Sequence, residues 1–263
     1  MKRVDFMGAP FDTVDMSGAV DRILQWARSA GQPRSIITLN AGLLMGMRNH
    51  AALRRACLNG DLILADGKPI VLASRLLGDP IPHRVAGVDL MAETLAAGAG
   101  SKLKVYFLGA KQNVLEKLER VVAERYPGIE VVGSHNGYFT GAEHQRIIDD
   151  INASGAELLY IGMPSPFKEV WAEQYRDRLK VGVIFGVGGS FDVLAGEVRR
   201  APVWLQELCL EWAWRLAMEP RKMWKRYLVT NTAFLLELAK LLLHRKPRPT
   251  EPAGEVEPLK NLP

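Results

Sequence analysis

Six short β-rich apolar runs recur along this chain, separated by longer stretches of helical periodicity. The runs are Ser35–Leu39, Asp61–Ala65, Lys104–Leu108, Glu130–Gly133, Glu157–Ile161 and Val181–Phe185. Helical spacing marks Ala41–Leu58, Asn113–Arg125, Ala142–Ala153 and Phe167–Leu179. Strands alternating with amphipathic helices imply a Rossmann-like, mostly parallel α/β sheet with helices on both faces. Such sheets bind ligands at the carboxyl ends of their strands. The loops after the strands are therefore where chemistry is expected.

The chain has 263 residues, 48% of them hydrophobic and 24% charged, enough for a folded protein with a substantial core. A formal net charge of +5 favours anionic partners. No zinc-finger spacing or aromatic RNA-binding motif accompanies it, so nucleic acid is not expected among them. Cys57 and Cys209 form neither a metal-ligand spacing nor a disulfide framework. Both are expected as reduced, buried thiols in helical segments of a cytoplasmic protein. The first residues lack the apolar core of a signal peptide.

After the last strand the pattern changes. Residues 1–196 read as the α/β core, 197–243 as a helical appendage, helical throughout from Ala201 to Leu243, and 244–263 as a proline- and charge-rich disordered tail. Four of the six tryptophans (Trp204, Trp212, Trp214, Trp224) fall in the appendage, beside Arg199, Arg200, Arg215, Arg221, Lys222, Lys225 and Arg226. Indole rings favour the membrane interface and cations favour phosphate and anionic headgroups. The best candidate for a membrane span, Tyr227–Leu243, is interrupted by Asn231, Glu237 and Lys240 and falls short of the ~20 apolar residues a span needs. Leu228, Leu235, Leu236, Ala239, Leu242 and Leu243 give it one apolar face, so it is expected to lie on a surface. Away from a membrane the same face could drive self-association into a homo-oligomer.

The strand-end loops supply the candidate site. Thr38 and Asn40 lie in TLNAGLL; from these residues alone a helix cap is the favoured role of Asn40 over ligand contact. Asp66, in LADGKPIV, stands where catalytic bases stand in open α/β sheets, and Asp-Gly is equally a turn signal. Arg84 could clamp an oxyanion or be a surface charge. Gly109 opens a helix start that could take phosphate, on a weak single-glycine signal. His135 has no spacing that supports a triad. Gly162 and Pro164 lead into a helix bearing Lys168 and Glu169, while Gly186, Gly188 and Gly189 cluster at the last strand end. The lysine of a P-loop is missing there, which speaks against an ATPase, and no G-x-G-x-x-G suggests a dehydrogenase. There is no D-x-D for holding a metal, and no cofactor is implied.

Together TLNAGLL, LADGKPIV, RVAGVDL, FLGA, HNGYF, IGMPSPFKE, FGVGGSFDVLAG and RRAPVWLQELCLEWAWRLAMEPRKMWKRYL resemble, in order and over roughly Asp5 to Leu243, the WecG/TagA/CpsF glycosyltransferases (glycosyltransferase family 26). The resemblance implies metal-independent, inverting, β-forming transfer of one hexosyl or N-acetylhexosaminyl unit. The donor is a UDP-sugar and the acceptor a polyprenyl-diphosphate-linked sugar, in surface or exopolysaccharide biosynthesis. It implies a peripheral enzyme on the inner face of the cell membrane. By motif match Asp66 is the general base, Thr38 and Asn40 lie near the donor sugar or acceptor, and Arg84 lies near the diphosphate. The family's appendage is thought to close over the site on the membrane, which makes Arg215, Arg221 and Arg226 the candidates for stabilising the leaving diphosphate. Gly109, Gly162, Lys168, Gly188 and Gly189 complete the expected substrate contacts. Lys168-Glu169 departs from the Gln-Glu that many members carry, which bears on donor specificity. The competing expectation is a nucleotide-binding regulatory or scaffold protein recruited to membranes.

Overall fold

All six expected runs enter one sheet. The computed structural model describes residues 2–29 and 31–244, so the expected disordered tail falls, beyond His244, outside the described residues. In chain order the elements are β1 (Arg3–Phe6), β2 (Ala9–Asp12), α1 (Met16–Ala27), β3 (Arg34–Leu39), α2 (Ala41–Asn49), α3 (Ala51–Leu58), β4 (Leu62–Ala65), α4 (Lys68–Leu76), α5 (Gly87–Ala99) and β5 (Lys104–Gly109). They continue with α6 (Gln112–Arg125), β6 (Glu130–His135), α7 (His144–Ser154), β7 (Leu158–Gly162), α8 (Phe167–Tyr175), β8 (Val183–Gly186), α9 (Ser190–Leu194), α10 (Val203–Glu207), α11 (Glu211–Met218) and α12 (Pro220–Leu243).

The main sheet runs β4-β3-β8-β7-β5-β6, and every pairing in it is parallel. Side chains alternate across it. Ile36, Phe107, Tyr160 and Phe185 pack beneath α1, α5, α6 and α9, whereas Ile37, Leu39 and Ile63 meet α2, α3 and α4. Tyr106, Leu108, Leu159 and Ile161 meet α7 and α8 on that same second face. Burial on both faces is why the strands read as continuous apolar runs rather than alternating ones.

Three local departures have physical reasons. The expected helix Ala41–Leu58 breaks at His50, whose extended backbone lets Nδ1 accept the Leu53 N–H (3.2 Å) and start α3. The appendage is not helical throughout: Cys209 adopts a left-handed φ of 62° between α10 and α11, and Pro220 restarts the chain as α12. Cys209 is thus half-buried in a turn rather than buried in a helix, while Cys57 is fully buried. Third, β1 and β2 form an antiparallel hairpin that the sequence reading did not anticipate. Its turn, Met7-Gly8, has positive φ at both residues (52° and 80°), the geometry that Asn-Gly usually announces. Asp12 ties the hairpin to the sheet by accepting the Ile63 N–H at 2.9 Å and the Arg3 Nε–H at 2.8 Å.

α12 packs on α2, burying Met223 and Phe234, and Phe234 joins the cluster of Leu43, Leu44 and Met47. Its opposite side leaves Trp224, Leu228, Val229, Leu235, Leu236 and Leu243 exposed. No described helix is long and apolar enough to cross a membrane.

Candidate functional site

Parallel pairing brings the strand ends to one side. Leu39 is in register with Ala65, Gly109 with Gly162, and Ile161 with Gly186. The loops after β3, β4, β7 and β8, roofed by the 198–231 stretch, enclose a cleft of about 380 Å³. It lies where the chain's progression across the sheet reverses, the usual ligand position in a doubly wound fold.

Asp66 is half-buried at the floor. Its backbone N–H donates to Leu39 O (2.9 Å), anchoring the turn to the neighbouring strand, and its Oδ1 accepts the Gly87 N–H at the start of α5 (2.9 Å). Burial pushes its carboxyl above the usual carboxylate range; the Gly87 N–H, the Arg84 guanidinium and the Asn40 side chain pull the other way. Gly87 packs tightly here, since a β-carbon there would stand 3.0 Å from Thr38 Oγ1. Asn40 caps α2 by accepting the Leu43 N–H (2.9 Å) and also hydrogen-bonds Asp66, so the cap and the site contact are one residue's work.

The cleft's cations are mostly committed. Arg84 Nε donates to Asp66 O at 3.4 Å while its Nη2 reaches Glu211 of α11 at 3.0 Å. Lys168 is buried, pairs with buried Glu169, and lays its methylenes against Gly186 and Gly188. Glu169 in turn accepts from Ser165 Oγ (2.8 Å). Arg200 forks onto Asp89, with Nη2 at 2.6 Å from Oδ2, and Lys68 Nζ donates to Glu207 O at 3.2 Å. Arg215 lies against Gly189, and its Nε is 4.0 Å from Glu219. Arg199 is exposed at the rim, its carbonyl accepting the Trp214 Nε1–H at 3.0 Å.

Of the residues expected from sequence, Asp66, Thr38, Asn40, Arg84, Gly162, Lys168, Gly188, Gly189 and Arg215 line this cleft. Gly109 does not. Its left-handed φ of 118° and the close approach of Gly162 and Met163 make it a packing glycine. Arg221 is exposed on α12 and is not among the lining residues, and the side chain of Arg226 lies outside the described residues. The sequence reading missed Lys68, Arg199, Arg200, Gln206 and Glu211 as wall residues. The Arg199-Arg200 pair just after the glycine loop was the available signal. Glu211 had none, because its place depends on the appendage folding back. Among the described residues no group of three His, Cys, Asp or Glu side chains could hold a metal ion.

A doubly wound sheet with a carboxylate and several cations around the cleft at its strand ends defines an α/β protein with a charged cleft at its switch point. The model of the glycosyl transferase WecG/TagA/CpsF family matches residues 4–248, and this chain belongs to that family. It is similar to an N-acetylglucosaminyldiphosphoundecaprenol N-acetyl-beta-D-mannosaminyltransferase of Staphylococcus aureus (strain MW2), 31% identical over 90% of this chain and 92% of the relative. A protein of the same description from Bacillus spizizenii is 34% identical over 73% of this chain and 74% of its own length.

Proposed function

We propose that this chain transfers a sugar, with inversion and in β linkage, from a UDP-sugar to a polyprenyl-diphosphate-linked sugar at a membrane surface. The observation that carries the reading is Asp66, held at the floor of a cation-lined cleft in a member of a glycosyl transferase family. The relatives' descriptions support an undecaprenyl-diphosphate-linked N-acetylglucosamine acceptor and an N-acetylhexosamine donor of the mannosamine type.

Asp66 takes the proton of the acceptor hydroxyl as that oxygen forms its bond to the donor's anomeric carbon. The bond from that carbon to the phosphate oxygen breaks on the opposite face, and UDP departs with the electron pair. Burial makes Asp66 a stronger base than an exposed carboxylate. Arg215 and Arg199, both lining the cleft, with Arg84 once its present partner is displaced, offset the charge on the leaving diphosphate in this reading. The exposed indoles and leucines of α10–α12 support docking of the appendage on the bilayer that carries the acceptor. This favours a peripheral enzyme on the inner face of the membrane. Lys168, in the wall beside Gly188, is the residue we expect to tune the choice of donor.

The test is a panel of UDP-sugars offered with a polyprenyl-diphosphate-N-acetylglucosamine acceptor, with products read by mass. The expected product gains one N-acetylhexosamine and forms with wild type but not with Asp66→Asn. Equal transfer by the variant would remove Asp66 as base, and no transfer from any UDP-sugar would remove the transferase reading.

A further inference from the structure

Glu211 opens α11 and reaches back across the cleft to Arg84, its Oε2 3.0 Å from Nη2. On the same edge of that guanidinium, Nε donates to the Asp66 carbonyl at 3.4 Å. Gln206 fills in beside it, with Oε1 3.5 Å from Arg84 Nη1 and accepting from Arg200 Nη2 at 3.2 Å, and with Nε2 fixed to Ala201 O at 2.8 Å. Two appendage side chains therefore occupy the guanidinium that lies closest to Asp66.

The position is a poor one for a carboxylate apart from its nearby arginines, of which Arg84 pulls hardest. Burial opposes the charge of Glu211, and Asp66 and Asp89 repel it, which together hold its carboxyl above the usual range against the pull of Arg84 and Arg200. Arg200 is already forked onto Asp89. A diphosphate has more charge and more acceptor oxygens than one carboxylate, and guanidinium binds it in the same forked geometry. A substrate diphosphate taking the Nη2 side of Arg84 has to displace Glu211.

We propose that Glu211 is an internal stand-in for a substrate phosphate, occupying the Arg84 anion site until a diphosphate displaces it and frees the α10–α11 turn to move. The diphosphate of the UDP-sugar and that of the lipid acceptor share this chemistry. In calling the displacing group a substrate the inference rests on the proposed transferase reading. The anion site itself is testable without transfer.

Titration calorimetry with inorganic pyrophosphate, UDP and farnesyl diphosphate separates the outcomes. Removing a half-exposed ionic competitor is expected to tighten pyrophosphate binding by Glu211→Gln about two- to fivefold, the scale of such a pair. Glu211→Asp, which keeps the charge on a shorter arm, should fall between and serves if the glutamine variant melts early. Glu211→Gln placed on an Arg84→Ala background should give no gain over Arg84→Ala alone. Whichever of UDP and farnesyl diphosphate shows the larger gain identifies the source of the displacing group. Unchanged or weaker pyrophosphate binding by folded Glu211 variants would overturn the proposal and make Glu211 a structural pin. Tightening without sugar transfer by any form would keep the anion site and remove the transferase reading; transfer without tightening would do the reverse.

Discussion

The guanidinium of Arg215 lies against the α-carbon of Gly189, so closely that a β-carbon on Gly189 would collide with Nη2. Gly189 ends the glycine loop after β8 and Arg215 sits on α11, so this contact joins core and appendage at the cleft. Gly189 has an ordinary φ of −72°, so space alone, not backbone conformation, calls for glycine.

Gly189→Ala should therefore cost little stability, under about 1 kcal/mol, because a flexible side chain can swing aside. It should lower transfer about as far as Arg215→Ala, by moving the guanidinium off its seat. Thermal melts beside steady-state rates check this. A variant that loses several kcal/mol, or one that keeps the full rate while Arg215→Ala does not, would contradict it.

Asp66→Asn should separate activity from stability. Loss of a general base typically slows a reaction ~10²–10⁴-fold. Burial raises the folded-state pKa of Asp66 above its unfolded value, so the carboxyl favours folding below the ordinary aspartate range and loses that contribution as pH rises through the raised pKa. The asparagine variant should thus melt at or above the wild-type temperature at neutral pH, with the difference shrinking toward pH 4. In wild type the transfer rate should fall on acidification at a pH higher than an exposed carboxylate would dictate. A lower melting temperature for Asp66→Asn at pH 7 than at pH 4, relative to wild type, would reverse the sign and refute the argument.

Leu228 and Leu235 are each more than 60% exposed on the free side of α12. Replacing both with serine should weaken co-sedimentation with anionic vesicles about tenfold or more, since each buried leucine is worth about 1–2 kcal/mol at an interface. The melting temperature should hardly move. Undiminished vesicle binding would show that this side does not meet the bilayer.

Phe234 is the opposite case, buried on the packed side of the same helix among α2 residues. Phe234→Ala should cost about 3 kcal/mol and loosen α12 from α2. Hydrogen exchange should rise in both helices while β3 and β8 stay protected. Uniform exchange across the sheet would mean that α12 is part of one cooperative unit with the core.

The sequence by itself determined the sheet and which residues stand at its strand ends. Runs such as Ser35–Leu39 and Lys104–Leu108 are mostly apolar because both faces are covered, and that pattern is local and visible. The strand-end positions of Asp66, Asn40 and Gly188 follow from it, because in a parallel sheet every strand ends on the same side. The β1–β2 hairpin was not legible, since Met7 takes a conformation its residue type does not advertise. Only the tertiary structure decided how the appendage meets the core. An arginine-rich stretch reads the same whether its side chains face lipid, water or the cleft. Folding back put Arg215 on Gly189 and Glu211 on Arg84, and left Arg221 outside. Those contacts join residues more than twenty positions apart across a turn at Cys209, and no periodicity in the chain encodes such a meeting.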